Sequence, residues 1–345
     1  MDLKYKIRIN GRAPAWPVLL GEEHPFYDPE DPDALGSASY SLIASDENDI
    51  RWELLIDAGH NTVPFLLKHS NRIPDALFLT HAHPDHILGV DWIVQSHYRR
   101  NSGREAYPVY CTQGTMNLLL KQYSHITGLV RHVELIPGQK TTVQEAAGFF
   151  VTAFPVYHGE GAKGASMLFF EQDTFNGNIV ITGDLLIPLL RKKDISTLSK
   201  ARKLFIDTNN RFPDPESNHI SFARILPGSQ EEPSRLKKWI LQVKLRDLLV
   251  PHQGLSNQHR QYFEEFVADW NVASDLPFTT LDLLKLSTIP QVYLTHYWGW
   301  YDRWNYSEAI LDEQTLLEWA RNTAINSGLP DIEIFVPKVG EFIDL

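Results

Sequence analysis

The chain has 345 residues, 43% hydrophobic and 22% charged, a balance that suits one large globular domain or two modest ones. Its 43 acidic against 32 basic residues give a net charge of −11, which argues against a nonspecific polyanion binder with a basic surface. The single cysteine, Cys111, excludes an intrachain disulfide and a thiolate-rich zinc site and fits a reducing, cytoplasmic setting. The N-terminal MDLKYKIRIN lacks the apolar core of a signal peptide, and no run approaches bilayer-spanning length.

Ser39 to Ala44 and Trp52 to Ile56 read as the strands of a hairpin across the polar turn 45–49, the second running into Asp57-Ala58-Gly59. Residues 62–70 are expected to form a short helix. Ala76 to Thr80 is an apolar run read as a buried strand, and a histidine-rich segment begins where it ends. Ile87 to Val94 reads as a helix leading away. Further strands are expected around Val109 and at Phe149–Phe154, Ser166–Phe170, Asn178–Thr182 and Lys203–Ile206, the last two running into Gly183-Asp184 and Asp207. Polar residues thus recur at the C-terminal ends of apolar strands, where sites concentrate on scaffolds of internal sheets and outer helices. Residues 231–275 differ. Arg235 to Leu249 has helical periodicity and Gln258 to Trp270 reads as a second helix, with Pro251 and Gly254 between them. This stretch reads as a helical insertion or cap within a single domain spanning 1–345. Gln291 to Thr295 is a strand ending in His296, Glu308 to Asn326 a long helix, and Ile332 to Val336 a closing strand.

The chemistry concentrates in His81, His83, Asp85 and His86. Imidazole nitrogens and carboxylate oxygens are natural zinc ligands and also suit iron or manganese. The alternation of His81 and His83 lets both rings face one ion from an extended turn. Asp85 and His86 fall beyond the turn and can serve a second. His81-Ala82-His83-Pro84-Asp85-His86 matches an HxHxDH signature, and on it the chain resembles the metallo-beta-lactamase superfamily. The resemblance covers roughly 36–340 apart from the helical insertion, and extends to Leu55-Ile56-Asp57-Ala58-Gly59, His158-Gly159, Ile181-Thr182-Gly183-Asp184 and Leu294-Thr295-His296, in the superfamily's order. It implies an α/β fold of the αββα kind, two sheets sandwiched between helices. It also implies two divalent ions, zinc by default with manganese or iron as alternatives. One would take His81, His83 and His158, the other Asp85, His86 and His296, with Asp184 bridging and Asp57 supporting from behind. Two dications a few ångströms apart repel, so a bridging carboxylate and a bridging hydroxide are expected between them.

Within the superfamily, His86 directly after Asp85, and a cysteine without matching context, argue against antibiotic hydrolysis. Phe205-Ile206-Asp207-Thr208-Asn209 followed by Asn218-His219-Ile220-Ser221 resembles the phosphodiesterase branch, which includes ribonuclease Z and cyclic phosphodiesterases. The branch's His-Ser-Thr stands here as His219-Ile220-Ser221. By that resemblance His219 is the general acid, oriented by a nearby carboxylate such as Asp57. Ribonuclease Z itself fits less well, because its flexible glycine-rich basic arm has no counterpart in 87–157; Arg99-Arg100-Asn101-Ser102-Gly103-Arg104 reads as a solvated loop. The aromatic run Tyr297-Trp298-Gly299-Trp300-Tyr301 could stack a base or simply pack in the core. The expected function is a metal-dependent phosphodiesterase for small or cyclic phosphodiesters, working through a metal-bridging hydroxide. Lactone, carboxylic ester or thioester hydrolysis on the same dinuclear site is the alternative; an RNA-processing endonuclease or a non-catalytic metal-binding protein stands behind both. The expected partner is a small-molecule substrate, with no membrane and no stable nucleic-acid complex. A homodimer is expected by resemblance.

Overall fold

The computed structural model describes residues 3–345 apart from 19, 22, 26, 29, 32, 34–35, 47–48, 173–174, 213–216, 224–256, 271–276 and 298–310. Its strands are β1 (Lys4–Gly11), β2 (Ser39–Ser45), β3 (Ile50–Ile56), β4 (Ala76–Phe78), β5 (Tyr107–Cys111), β6 (Val130–Glu134), β7 (Lys140–Thr142), β8 (Phe149–Tyr157), β9 (Ser166–Gln172), β10 (Phe175–Ile181), β11 (Ile187–Pro188), β12 (Lys203–Asp207), β13 (Gln291–Thr295), β14 (Glu333–Phe335) and β15 (Phe342–Asp344). They form two sheets, ordered β15-β1-β2-β3-β4-β5-β6 and β11-β8-β9-β10-β12-β13-β14, with β7 added alongside β8.

Side-chain alternation decides what each face of a strand meets. In β3, Leu54 and Ile56 enter the core between the sheets, while Leu55 faces outward. Phe78 and Tyr110 likewise point inward from β4 and β5, and Leu77 and Val109 outward. On the second sheet Ile181, Phe205 and Tyr293 face inward, while Val180, Leu204, Ile206, Val292 and Leu294 face outward. Both outer faces are apolar and are covered by helices. Thr62–His69, Val90–Arg100 and Gln113–Gln122 cover the first sheet through Val63, Leu66, Ile93, Val94, Met116 and Leu119. Thr280–Ser287 and Glu313–Asn326 cover the second through Leu284, Leu316 and Ala320. The result is the helix–sheet–sheet–helix layering expected from the sequence. Strands buried on both faces read as near-continuous apolar runs, which is why they were legible.

Some elements differ from expectation. The helix expected at Ile87–Val94 is two, Pro84–Ile87 and Val90–Arg100. The amide of Gly89 bonds to the carbonyl of Ala58 at 2.7 Å instead of continuing the helical ladder. Of the two insertion helices, the second stands at Asn257–Asp269, where Phe266 packs on Leu186, Ile187 and Leu189; the first, at 235–249, lies outside the described residues. β1 and β15, both beyond the span of the family resemblance, pair with each other and extend the first sheet. β1 hides in the sequence because both of its faces are buried, Ile7 and Ile9 among apolar groups but Arg8 and Asn10 among polar ones. No helix among the described residues is long and apolar enough to cross a membrane.

Candidate metal centre

β3, β4 and β5 run parallel in one sheet, and β10, β12 and β13 in the other. The C-terminal ends of several of these strands, together with the end of β8, converge at one edge of the sandwich. There the chain runs on to His81–His86 after β4, His158 after β8, Asp184 after β10 and His296 after β13, while Asp207 ends β12. His81, Asp85, His86, His158, Asp184, Asp207 and His296 are all buried; His83 and His219 are partly exposed.

Two donor groups result, His81 with His83 and His158, and Asp85 with His86, Asp184 and His296. Nε2 of His158 lies 3.2 Å from Nδ1 of His83. In the second group, His86 Nε2 stands 3.4 Å from Asp85 Oδ2, and His296 Nε2 stands 3.6 Å from the same atom. A tetrahedral ion with bonds of about 2.0–2.1 Å to nitrogen spaces its donors about 3.3–3.4 Å apart, so both groups have the size of an ion's coordination shell. The Asp184 carboxylate faces both. Its Oδ2 is 3.9 Å from His81 Nε2 and 3.6 Å from His158 Nε2, while its Oδ1 is 3.3 Å from His86 Nε2 and 3.2 Å from His296 Nε2.

The chemistry of these atoms suits a cation. The Nε2 atoms of His81, His86 and His296 and Oδ1 of Asp184 are buried without a hydrogen-bond partner. Such orphans are costly and rare in folded proteins. Of the opposite ring nitrogens, His296 Nδ1 is likewise without a hydrogen-bond partner, whereas those of His81 and His86, and that of His158, are bonded. His86 Nδ1 donates to Asp57 Oδ2 at 2.8 Å, His158 Nδ1 to the Asn218 carbonyl at 2.9 Å, and His81 Nδ1 to Thr80 Oγ1 at 3.1 Å. Each bond selects the tautomer that leaves Nε2 as a lone-pair donor and holds the ring in place. Burial holds His81 well below its usual range; it also pulls His158 down to about 3, against the pull of Asp184. Neutral imidazoles are the form a metal takes up. At His86 burial also disfavours the charge, but Asp184, Asp85 and Asp57 outweigh it and hold the ring well above its usual range. Burial disfavours the Asp184 charge as well, but His296 and His86 hold that carboxyl well below the usual range. The carboxylates thus demand a positive charge at the second group. The donors present fit one or two divalent ions.

The turns that deliver these residues are tight. A Cβ at Gly59 would stand 1.5 Å from the Asp85 carbonyl oxygen, and one at Gly183 would stand 2.5 Å from the Thr80 side chain. Asp57 and His296 both adopt positive φ, 55° and 59°, at a cost of order 1–3 kcal/mol each. Their amides are tied to Phe78 O at 2.9 Å and Arg12 O at 2.7 Å, which helps hold them there.

His219 joins the cluster. Its ring stacks on His296 (5.1 Å between centroids, 22°) and meets His158 edge-on at 4.8 Å. Its orienting carboxylate is not Asp57. Asp57 is taken up by the Thr80 amide at 2.9 Å, the Thr80 hydroxyl at 2.7 Å and His86. Instead His219 Nδ1 donates to Asp207 Oδ2 at 2.7 Å. Asp207 Oδ1 also stands 3.6 Å from His296 Nδ1, and Asp184, Asp207, His219 and His296 form a third, overlapping donor group. At His219 burial opposes charge, but Asp207 outweighs it, and with Asp184 and Asp85 adding, the pKa is pushed up to about 9. In the sequence Asp207 reads as a strand end within the Phe205–Asn209 segment that resembles the phosphodiesterase branch, and not as the partner of His219. Its signal was the parallel pairing of β12 with β13, which sets Asp207 beside Thr295 and one residue from His296. Of the aromatic run, Tyr297 packs against the core of the second sheet; residues 298–301 lie outside the described residues. Arg99, Arg100 and Arg104 are exposed, but Arg99 and Arg100 form the last turn of the Val90–Arg100 helix and not a loop.

A family model described as a beta-lactamase superfamily domain matches residues 52–185. The ribonuclease Z of Bradyrhizobium diazoefficiens is 31% identical over 110 residues, 30% of this chain and 36% of that protein. The match therefore spans about a third of the curated relative's length. Among solved structures, a diphosphatase from the PhnP family superposes with a TM-score of 0.59 at 15% identity, over 99% of this chain and 98% of that one. The metallo-beta-lactamase fold protein YhfI from Bacillus subtilis gives 0.55 at 15% identity, over the whole of both chains. Likeness at this identity is a likeness of fold: the chain has the metallo-beta-lactamase fold.

Proposed function

We propose that the chain is a metal-dependent phosphodiesterase acting on small or cyclic phosphodiesters. The observation that carries this reading is the His219–Asp207 pair, set against His158 and His296 of the two donor groups. The names of the similar proteins, a ribonuclease and a diphosphatase, belong to hydrolysis at phosphorus and support a phosphoryl substrate. Two divalent ions, zinc by default, would be held by His81, His83 and His158 and by Asp85, His86 and His296, with Asp184 shared. When bound they supply Lewis-acid charge and a nucleophilic water at neutral pH.

The chain's own residues do the rest. With Nδ1–H given to Asp207, His219 carries its transferable proton on Nε2. As water oxygen bonds to phosphorus and the opposite P–O bond breaks, that proton passes to the departing alkoxide; His219 then recovers one from solvent. Asp207 fixes the ring and favours its charged form. Asp57 acts behind the donors, holding His86 and, through Thr80, His81. Residues 87–157 are regular elements joined by short connections, which leaves no arm there for a large RNA and supports a small substrate. A homodimer is proposed by family resemblance, and light scattering at micromolar concentration decides it.

The experiment is His219→Ala, assayed with metal content matched to wild type. A general acid contributes about 10²–10⁴ in rate, and a poor alkoxide leaving group needs it far more than a nitrophenolate does. Alkyl and cyclic phosphodiesters should slow by that range and bis-nitrophenyl phosphate only mildly. Equal losses on both overturn the acid assignment. Strong wild-type turnover of a lactone or thioester, with none of any phosphodiester, overturns the proposed class.

A further inference from the structure

Behind the metal centre, on the outer face of the first sheet, lies a chain of buried polar side chains that the proposed reaction does not use. Arg8 Nη2 donates to Glu53 Oε1 at 2.6 Å, and Arg8 Nε to Asn10 Oδ1 at 2.9 Å. Asn10 Nδ2 donates to Ser41 Oγ at 3.0 Å and to Ser39 Oγ at 3.4 Å. Ser39 Oγ in turn donates to the backbone carbonyl of Asp57 at 2.8 Å. None of these residues is more than 2% exposed. The chain ends on Asp57, whose carboxylate bonds His86 Nδ1 and whose backbone takes a φ of 55°, a conformation uncommon outside glycine.

Geometry therefore connects β1, on the far side of the sheet, to a candidate ligand. The amide of Asp57 is fixed by Phe78 O and its carbonyl by Ser39 Oγ, so the plane and direction of this residue are set from both sides. With Ser39 gone, the carbonyl loses its partner inside the protein and the left-handed turn is free to relax. The Asp57 carboxylate then swings relative to His86. His81 feels this less, because the carboxylate reaches it only through the Thr80 hydroxyl, and the Thr80 backbone is also held by the Ser166 amide at 2.9 Å.

We infer that Ser39, with Asn10 and Arg8 behind it, is a positioning residue for the donor group Asp85, His86, Asp184 and His296, acting through Asp57. The inference rests on the two-ion reading of the site. It is tested on the full chain, stripped with chelator and titrated with Zn²⁺ against a competing chelator. Two controls assign the affinities: His83→Ala removes the ion of the first donor group and Asp85→Ala that of the second. If wild type takes up no zinc, the two-ion reading itself fails, which is a different result from any below. Ser39→Ala is expected to weaken the second group's ion about tenfold, the low end of what a supporting partner contributes, and to leave the first within about threefold. The visible spectrum of the Co²⁺-loaded protein should change in the band lost in Asp85→Ala and not in the other. Equal weakening of both ions, or no change in either, overturns the inference. Should Ser39→Ala fail to fold, Asn10→Ala carries the test, since it leaves the Ser39–Asp57 bond in place but unsupported. A shift confined to the second group supports the inference, and an unshifted or evenly shifted pair overturns it.

Discussion

Replacing Asp207 by asparagine keeps the size of the side chain and removes its charge. Asp207 bonds His219 at 2.7 Å, is fully buried, and faces a ring whose side chain is 17% exposed, so water screens the pair little. A charge-assisted bond of this kind contributes about 1.5–3 kcal/mol. Transmitted wholly to the transition state, at about 1.36 kcal/mol per decade, that is roughly a 10- to 150-fold loss of kcat on an alkyl phosphodiester. The loss should shrink to a few-fold on bis-nitrophenyl phosphate. Because Asp207 acts through His219, the double variant Asp207→Asn/His219→Ala should be no slower than His219→Ala alone. The metal content of each variant is measured alongside, since Asp207 also stands near His296. Losses that multiply in the double variant would refute the reasoning, because Asp207 would then contribute by some route other than His219.

Elemental analysis of protein purified without chelator should find close to two transition-metal equivalents per chain, and Asp184→Ala should lose metal and activity together while circular dichroism stays native. Gly59→Ala forces a Cβ to within 1.5 Å of the Asp85 carbonyl, so the 57–59 turn must lift away. Stability should fall by about 1–3 kcal/mol or more in urea unfolding, with metal lost from the Asp85/His86 side first. Arg8→Leu strands Glu53 as a lone buried carboxylate and should cost about 3–5 kcal/mol of unfolding free energy, whereas Arg8→Met with Glu53→Leu should recover most of it. A single Arg8 variant as stable as wild type would mean that Glu53 finds another partner or is protonated.

The donors were legible because they are crowded. Three histidines and an aspartate between 81 and 86, at the end of an apolar run, leave little room for a packing explanation, and the remaining donors each follow a strand of their own. What could not be read was lateral order. Asp57 and Asp207 both end apolar strands, and nothing local says which lies beside His219. The answer depends on sheet assignment: Asp57 follows β3 in the first sheet, while Asp207 ends β12 in the second, next to the strand that delivers His296. The same reason hid the Arg8–Asn10–Ser39 chain. Arg8 and Asn10 look like solvent-facing residues of an N-terminal strand until the Thr62–His69 helix is seen near them, with Phe65 under the guanidinium at 5.6 Å. Polar residues buried in a network carry no periodic signal that separates them from exposed ones.

Charge bookkeeping at the site bears on the choice between a phosphodiester and a neutral ester. Four aspartates, Asp57, Asp85, Asp184 and Asp207, are buried around the donors. Two dications and a protonated His219, favoured by Asp207, would balance these four carboxylates and the hydroxide expected at the ions, so the pocket would be close to neutral before substrate binds. Within it the His219 charge stands where the departing oxygen of a diester would lie, and a diester brings a negative charge to meet it at a place where burial makes charge interactions strong. The phosphomonoester product is more negative, and the proton given to the alcohol has by then left His219. Product thus faces a pocket that has lost that positive charge, which favours release. A lactone or thioester brings no charge for His219 to meet. The overall charge of −11 does not oppose this, because the field within the pocket is set by the ions and the nearest groups rather than by the distant surface. On this argument a phosphodiester should compete with a neutral ester for the site, and its binding should weaken in His219→Ala more than that of the ester does, as inhibition constants measured on metal-loaded protein would show. Equal weakening of the two would remove charge compensation as a reason to prefer the phosphodiester.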